Sequence, residues 1–308
     1  MLFPIAQPIQ AQHWQPVRGG ITFGISGMAL VEQQDDAYRF LIVHDNKKPS
    51  EGRIAIIKVT DTDAPQYLPL NWSRNRELPV DLEALTTVPG ARETVFMAST
   101  SSGKIYCIRL NPDSQDISVL NVFQLPGVPE DNNLEGFALQ QINGKLLAVW
   151  GHRGANEEPG ILYWGWLNSK TYQISPQGST PLRVPFPIGN VRHISDLKVD
   201  SAGVVYITAV TDNGDDGPFQ SAVYVAGAFT QQSDRFQFRQ NFSLVPLYRL
   251  NYHKVEAIEL VPGAAGGIFL GTDDENMGSS IWGVGSREWR RKVNVSHLIY
   301  SNPKVALC

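Results

Sequence analysis

The chain has 308 residues, 42% of them aliphatic or aromatic and 18% charged, with a formal net charge of −4. The only dense basic run is Arg290-Arg291-Lys292. It is too short for a nucleic-acid footprint and reads as a solvated edge, and no stretch of about 18 apolar residues offers a membrane span. Glycine (27) and proline (20) are plentiful, which suits many short strands joined by tight turns.

Met1 to Gln15 carries no Lys or Arg ahead of its weakly apolar residues. It does not read as an intact signal peptide; a mature chain whose signal had been removed would read the same way. The location is therefore open, cytoplasmic or periplasmic/extracytoplasmic. The two cysteines, Cys107 and Cys308, make no disulfide framework.

From residue 25 onward one pattern is repeated. The first unit opens with Ile25-Ser26-Gly27-Met28-Ala29-Leu30, continues with apolar runs at Arg39–Val43 and Arg53–Ile57, and ends with a less regular run at Gln66–Leu70. The second opens with Leu82-Glu83-Ala84-Leu85 and continues through Thr94–Ala98, Lys104–Ile108 and Ser118–Gln124. The third opens with Leu134-Glu135-Gly136-Phe137-Ala138-Leu139 and continues through Lys145–Val149, Ile161–Trp164 and Leu182–Phe186. The fourth opens with Ile194-Ser195-Asp196-Leu197-Lys198-Val199, followed by Val204–Thr208, Ala222–Val225 and Phe242–Arg249. The fifth opens with Val255-Glu256-Ala257-Ile258-Glu259-Leu260, followed by Gly267–Leu270 and Ser280–Val284.

These β-branched and aromatic runs, bounded by Gly, Asn, Asp and Ser, are strands joined by hairpins. A strand-built repeat of 52 to 61 residues (Ser26, Glu83, Glu135, Ser195, Glu256) predicts a β-propeller with one four-stranded antiparallel blade per unit. Five blades account for the chain as one domain spanning 1–308; six would need a divergent blade built from both termini. Closure of the ring assigns residues 1–20 and 287–308 to a shared last blade. The opening phrase is the innermost strand. Gly27, Ala84, Gly136 and Ala257 stand where blades converge and only small side chains fit, and Asp196 breaks that rule in the fourth unit.

Polar residues gather at the expected inner edge. Glu83, Glu135 and Glu256 alternate with Ser26 and Ser195, and two places earlier stand Gly24, Asp81, Asn133, His193 and Lys254. Each second strand runs into a polar cluster: His44-Asp45-Asn46-Lys47, Thr100-Ser101-Ser102, His152-Arg153, Thr211-Asp212-Asn213 and Asp273-Asp274-Glu275-Asn276. Five such clusters should ring one opening. Ionised carboxylates resist burial unless they meet cations, waters or donors. One reading has each glutamate bonded to backbone N–H groups or waters, locking neighbouring blades. The other has Glu83, Glu135, Glu256, Asp45, Asp212 and Asp274 holding Ca²⁺, with His44, His152 and Arg153 as catalytic groups and Lys47, His193 and Lys254 binding an anionic substrate. No His/Cys spacing suggests zinc, and Ser26 lacks a nucleophile elbow.

The phrases Ile25-Ser26-Gly27 with Phe40-Leu41-Ile42-Val43-His44-Asp45, and Leu134-Glu135-Gly136-Phe137-Ala138 with Leu146–Gly154, resemble units of a loose propeller group. That group comprises the SdiA-regulated proteins, the phytase-like esterase domains and the DUF3616 family. The resemblance covers roughly residues 20 to 285 and implies a channel site, calcium, and phosphoester or ester hydrolysis. Ala84, Ala257, Thr100-Ser101 and Gly151 depart from the group's pattern. Two function classes follow: a calcium-assisted hydrolase of a small phosphoester or other anionic ester, and a non-catalytic propeller that binds a ligand or protein partner at the channel mouth.

Overall fold

The structure is a computed structural model that describes residues 13–284 except 35–36, 61, 75, 92–93, 112–114, 129–132, 233–234 and 262–266. The alternation of side chains along each run decides how it folds. In the second run of the first unit, Phe40 and Ile42 enter one apolar cluster while Leu41 and Val43 enter the next. A strand that is apolar on both faces can satisfy both only when a neighbouring blade covers each face.

β1 (Gln15–Arg18) comes first in the chain and completes the last blade. Blade 1 is β2 (Gly27–Gln34), β3 (Ala37–Val43), β4 (Ile54–Val59) and β5 (Gln66–Pro69). Blade 2 is β6 (Leu82–Thr87), β7 (Val95–Thr100), β8 (Lys104–Leu110) and β9 (Ile117–Gln124). Blade 3 is β10 (Leu134–Ile142), β11 (Lys145–His152), β12 (Gly160–Asn168) and β13 (Gln173–Leu182). Blade 4 is β14 (Val191–Val199), β15 (Val204–Thr211), β16 (Gln220–Gln232) and β17 (Arg235–Gln240), with β18 (Tyr248–Asn251) also paired to β16. Blade 5 is β19 (Val255–Val261), β20 (Gly267–Thr272), β21 (Ser279–Val284) and β1.

Neighbouring strands in each blade are antiparallel, and the inner strands β2, β6, β10, β14 and β19 contact one another in that order before β19 returns to β2. The protein is a five-bladed β-propeller. No α-helix occurs among the described residues, and no described helix is long and apolar enough to cross a membrane. β1 pairs with β21, Gln15 facing Ile281 and Arg18 facing Ser279, so the amino-terminal strand ties the ring to the last blade. The other expected closing segment, 287–308, lies outside the described residues.

The described buried apolar residues form five clusters, one at each seam between blades. Near the axis the seams are tight. A Cβ on Gly27 would stand 2.8 Å from the Ala84 backbone of the next blade, and one on Gly136 would stand 2.8 Å from Leu197 Cγ. Asp196 fits the same layer by bridging: its carboxylate accepts the Leu197 N–H at 2.7 Å and, across the seam, the Ile258 N–H at 2.9 Å.

The outer strands of blades 3 and 4 differ from expectation. The strand predicted at Leu182–Phe186 is instead β13, and the one predicted at 242–249 is replaced by β17 and β18. β13 is an exposed edge with Pro176 and Pro181 in it, so it carries no apolar signal. Leu182 and Val184 are apolar because they pack into the seam between blades 3 and 4.

Candidate functional site

Inner strands begin and second strands end at the same mouth of the ring, so the side chains there are set by how each hairpin starts. In blades 2, 3 and 5 the ladder slips by one residue at that point. Leu82 faces Thr100 and Ala84 faces Ser99, which leaves Glu83 unpaired between them. Glu135 and Glu256 occupy the same slip in β10 and β19. A bulged residue leaves the ladder and its side chain is re-aimed. The three glutamates thus stand close enough to repel one another while only 9%, 3% and 3% exposed, respectively.

Their partners divide the mouth in two. On the side of blades 3 to 5, Arg192 is the hub. Its Nη1 donates to Glu256 Oε1 at 3.0 Å and to Glu135 Oε1 at 3.5 Å, and its Nη2 and Nε donate to Asp212 Oδ2 at 2.8 and 3.1 Å. Arg153 Nη1 donates to the same Glu135 oxygen at 3.2 Å. Lys254 Nζ sits 3.0 Å from Glu256 Oε1 and also donates to Glu275. Burial works against the charge of Arg192, but Glu135, Glu256 and Asp212 outweigh it and hold the guanidinium ionised. In return Arg192 overcomes the burial of Asp212 and keeps that carboxyl below its usual range.

The side of blades 1, 2 and 5 has few cations. Glu83 makes no hydrogen bond or ion pair with any described residue. Burial pushes its carboxyl well above the ordinary carboxylate range, and Glu135, Asp81, Asp45 and Glu256 add to that push. Burial, then the charges of Glu256 and Asp81, raise Asp45 to about 6. Asp273 is raised well above its usual value by burial and by Glu256, and it accepts the Glu275 N–H at 3.1 Å. Lys47, on this side, is bonded to Asp81 at 3.0 Å. Glu135 is raised by its burial as well, but Arg192 and Arg153 pull against that, a restraint Glu83 lacks.

Several expected site residues lie in the wall instead. His44 is 1% exposed, with Nδ1 donating to the Gly24 carbonyl and Nε2 accepting from Tyr67 Oη at 3.1 Å. Burial lowers its pKa to about 4, so it is a neutral structural ring. His193 is also 1% exposed; Nε2 donates to the Asn156 carbonyl at 2.9 Å and Nδ1 accepts the Val184 N–H. His152 Nδ1 accepts the Gly154 N–H within the turn that carries Arg153. Asp274 is held by His253 at 2.7 Å, by Thr272 Oγ1 and by the Lys254 N–H. The six expected calcium ligands therefore do not form one cage. Glu83, Glu135, Glu256 and Asp45 share the mouth, Asp212 is taken by Arg192, and Asp274 belongs to the blade 5 wall. Among the described residues, no group of three or more His, Cys, Asp or Glu side chains is disposed to hold a metal ion, so this donor set does not fit the calcium that the resemblance implies.

Arg192 is the functional residue that sequence reasoning missed. It lies three places before Ser195, two places ahead of the aligned phrase, and the irregular register between Arg192 and Asp196 brings it to the axis. An arginine at the position where the other units have Phe23, Val80, Asn132 and His253 was the available signal. Below the mouth, Lys198 crosses the axis from β14 and donates to the carbonyls of Met28 at 2.9 Å and of Leu85, with Glu259 at 3.4 Å. It ties blades 1, 2, 4 and 5 together beneath the carboxylate layer.

The sequence matches no protein-family model and no curated protein. Solved structures resemble the fold. An α-L-arabinofuranosidase of Podospora anserina is 9% identical with a TM-score of 0.50, over 88% of this chain and 96% of that one. A GH43 endo-arabinanase of Bacillus licheniformis is 12% identical with a TM-score of 0.47, over 86% and 94%. Raptor of Chaetomium thermophilum is 13% identical with a TM-score of 0.39, over 85% of this chain and 20% of that one. These likenesses concern the propeller scaffold.

Proposed function

We propose that the channel mouth is an acid–base hydrolytic site, in which Glu83 carries the proton and Glu135 is the ionised partner. The observation that supports this is the contrast between two glutamates at equivalent bulges of adjacent inner strands. Glu135 is bonded to two guanidinium groups, and Glu83 makes no hydrogen bond or ion pair with a cation among the described residues. Two carboxyls driven apart in this way can divide the roles of acid and base in one reaction. Glu83 would protonate the leaving oxygen of the substrate. Glu135, kept in place by Arg153 and Arg192, would activate water or attack directly.

The excess of carboxylates favours an uncharged linkage, a carboxylic ester or an acetal, over the phosphoester or other anionic ester suggested by sequence. An anion brought to this mouth would meet Asp45, Glu83 and Asp273 before it met an unengaged cation. The test is a hydrolysis screen over chromogenic esters, glycosides and phosphoesters with wild-type protein, Glu83→Gln and Glu135→Gln. Turnover of an ester or glycoside that falls at least about 100-fold in both variants is expected from the usual size of acid–base contributions. Turnover unchanged by either substitution, or no turnover on any class, would return the protein to the non-catalytic ligand-binding reading.

A further inference from the structure

We infer that a further ligand site lies outside the channel, in the seam between blades 4 and 5, and that it takes a neutral aromatic molecule carrying one strong hydrogen-bond donor, a phenol O–H or an aromatic N–H. The inference goes beyond the hydrolytic reading and rests on no part of it.

A cavity of about 530 Å³ opens in that seam. Pro16, Pro218, Tyr252 and Met277 give it apolar walls, and His253 and Ser280 are among its polar lining. The ring of His253 is set by its neighbours. Thr272 Oγ1 accepts the Ser280 N–H at 2.8 Å, so its own hydrogen goes to Asp274 Oδ2 at 2.9 Å. Asp274 Oδ1 accepts the Lys254 N–H at 2.8 Å. Asp274 is thus an acceptor throughout, and His253 Nδ1 donates to its Oδ2 at 2.7 Å. In the neutral ring Nε2 then keeps its lone pair, and it bonds to no described residue.

A second observation points to a ligand. Ser280, 9% exposed, lines the same cavity, and its hydroxyl makes no hydrogen bond with a described residue. Its direction follows from the strand. Ser280 stands opposite Pro16 and two places before Trp282, so the three side chains share one face of blade 5. Trp282 meets the Trp14 ring at 5.5 Å, and Trp14 lies against His253 at 4.3 Å, so this is the face that carries the imidazole. An acceptor nitrogen and a buried hydroxyl, both unpartnered, look into one apolar cavity, and such groups are costly to leave unbonded. Apolar walls with two polar points suit a flat hydrophobic body with a single donor, and the Met277 thioether packs well on an aromatic ring. A polyol would bring more hydroxyls than these walls can satisfy. An anion would face the Nε2 lone pair and the carboxylate of Asp216, also in the lining. Arg18, at the cavity edge, lays its guanidinium on the Phe23 and Tyr67 rings at 4.4 and 5.1 Å, on the side of blade 1.

The experiment uses the full chain and three probes, p-cresol, its O-methyl ether and benzoate, each titrated by saturation-transfer NMR. p-Cresol should bind about tenfold more tightly than the ether, the worth of one hydrogen bond to an otherwise unpaired group. His253→Phe keeps a ring against Trp14 and removes the acceptor, so p-cresol and its ether should then bind alike. Met277 is 57% exposed at the rim, so Met277→Glu leaves the His253–Asp274 pair in place and should weaken both probes about tenfold by putting a charge on an apolar wall. That variant decides the matter where far-UV circular dichroism shows that His253→Phe does not fold. Equal binding of p-cresol and its ether to the wild-type protein, binding unchanged by Met277→Glu, tighter binding of benzoate than of p-cresol, or no binding of any probe would overturn the inference.

Discussion

Replacing Asp196 by Asn removes a titrating carboxyl from the seam between blades 4 and 5 and keeps an oxygen to accept the Ile258 N–H. Asp196 is fully buried, and burial raises its carboxyl to about 7 against the pull of Lys198 and two backbone N–H groups. Its ordinary value is 3.8. Between these values the folded protein retains a proton that the unfolded chain releases, so this group's contribution is present below pH 3.8 and lost as the pH rises through 7. At about 1.4 kcal/mol per unit, the span corresponds to roughly 4 kcal/mol. Other raised carboxyls, Asp45, Glu83 and Asp273, slope the same way but are common to both proteins and cancel in the comparison. Urea unfolding followed by tryptophan fluorescence at pH steps from 4 to 8 measures the difference in stability, wild type minus Asp196→Asn. That difference should fall by about 4 kcal/mol across the range. A difference that does not change with pH would refute the assignment of a protonated Asp196 to the native state.

Other outcomes follow from the same geometry. Arg192→Met leaves Glu135, Glu256 and Asp212 without their hub and should cost about 3 kcal/mol at pH 8. Part of that should return at pH 5, where the Glu135 carboxyl, raised by its burial, takes up a proton more readily; denaturation at the two pH values checks it, and equal losses would count against the hub. Gly136→Val places a branched side chain where even a Cβ stands 2.8 Å from Leu197, and should lower stability by about 1–3 kcal/mol through overpacking, as read from the urea midpoint. Removing residues 1–18 takes away β1 and exposes the edge of β21. The melting temperature should drop and the protein should associate, which light scattering would reveal. A truncated protein that melts as before would show that β1 does not secure the ring.

The repeat spacing, the apolar runs and the small residues at Gly27, Ala84, Gly136 and Ala257 were enough to specify five blades, because strand alternation and close approach at the axis act on local residue types. The gathering of polar residues at one mouth was legible for the same reason: all inner strands start there. Outer strands were not legible in blades 3 and 4, since an edge facing water demands no apolar pattern. The roles of individual mouth residues were decided by tertiary structure alone. A one-residue bulge turns Glu83, Glu135 and Glu256 onto the axis, and the irregular register of β14 brings Arg192 to three carboxylates from blades 3, 4 and 5. His44, His193 and Asp274 have the same residue types as a catalytic site, yet the wall takes them because each finds its partners there: Gly24 and Tyr67, Asn156 and Val184, His253 and Thr272. Sequence determines which polar groups reach the mouth; ladder register and the competition for hydrogen-bond partners determine which of them face the ligand, since both depend on which strands and loops the fold brings side by side: Leu82 with Thr100 in a ladder, His193 with Asn156 in the wall, Arg192 with Glu256 across the mouth.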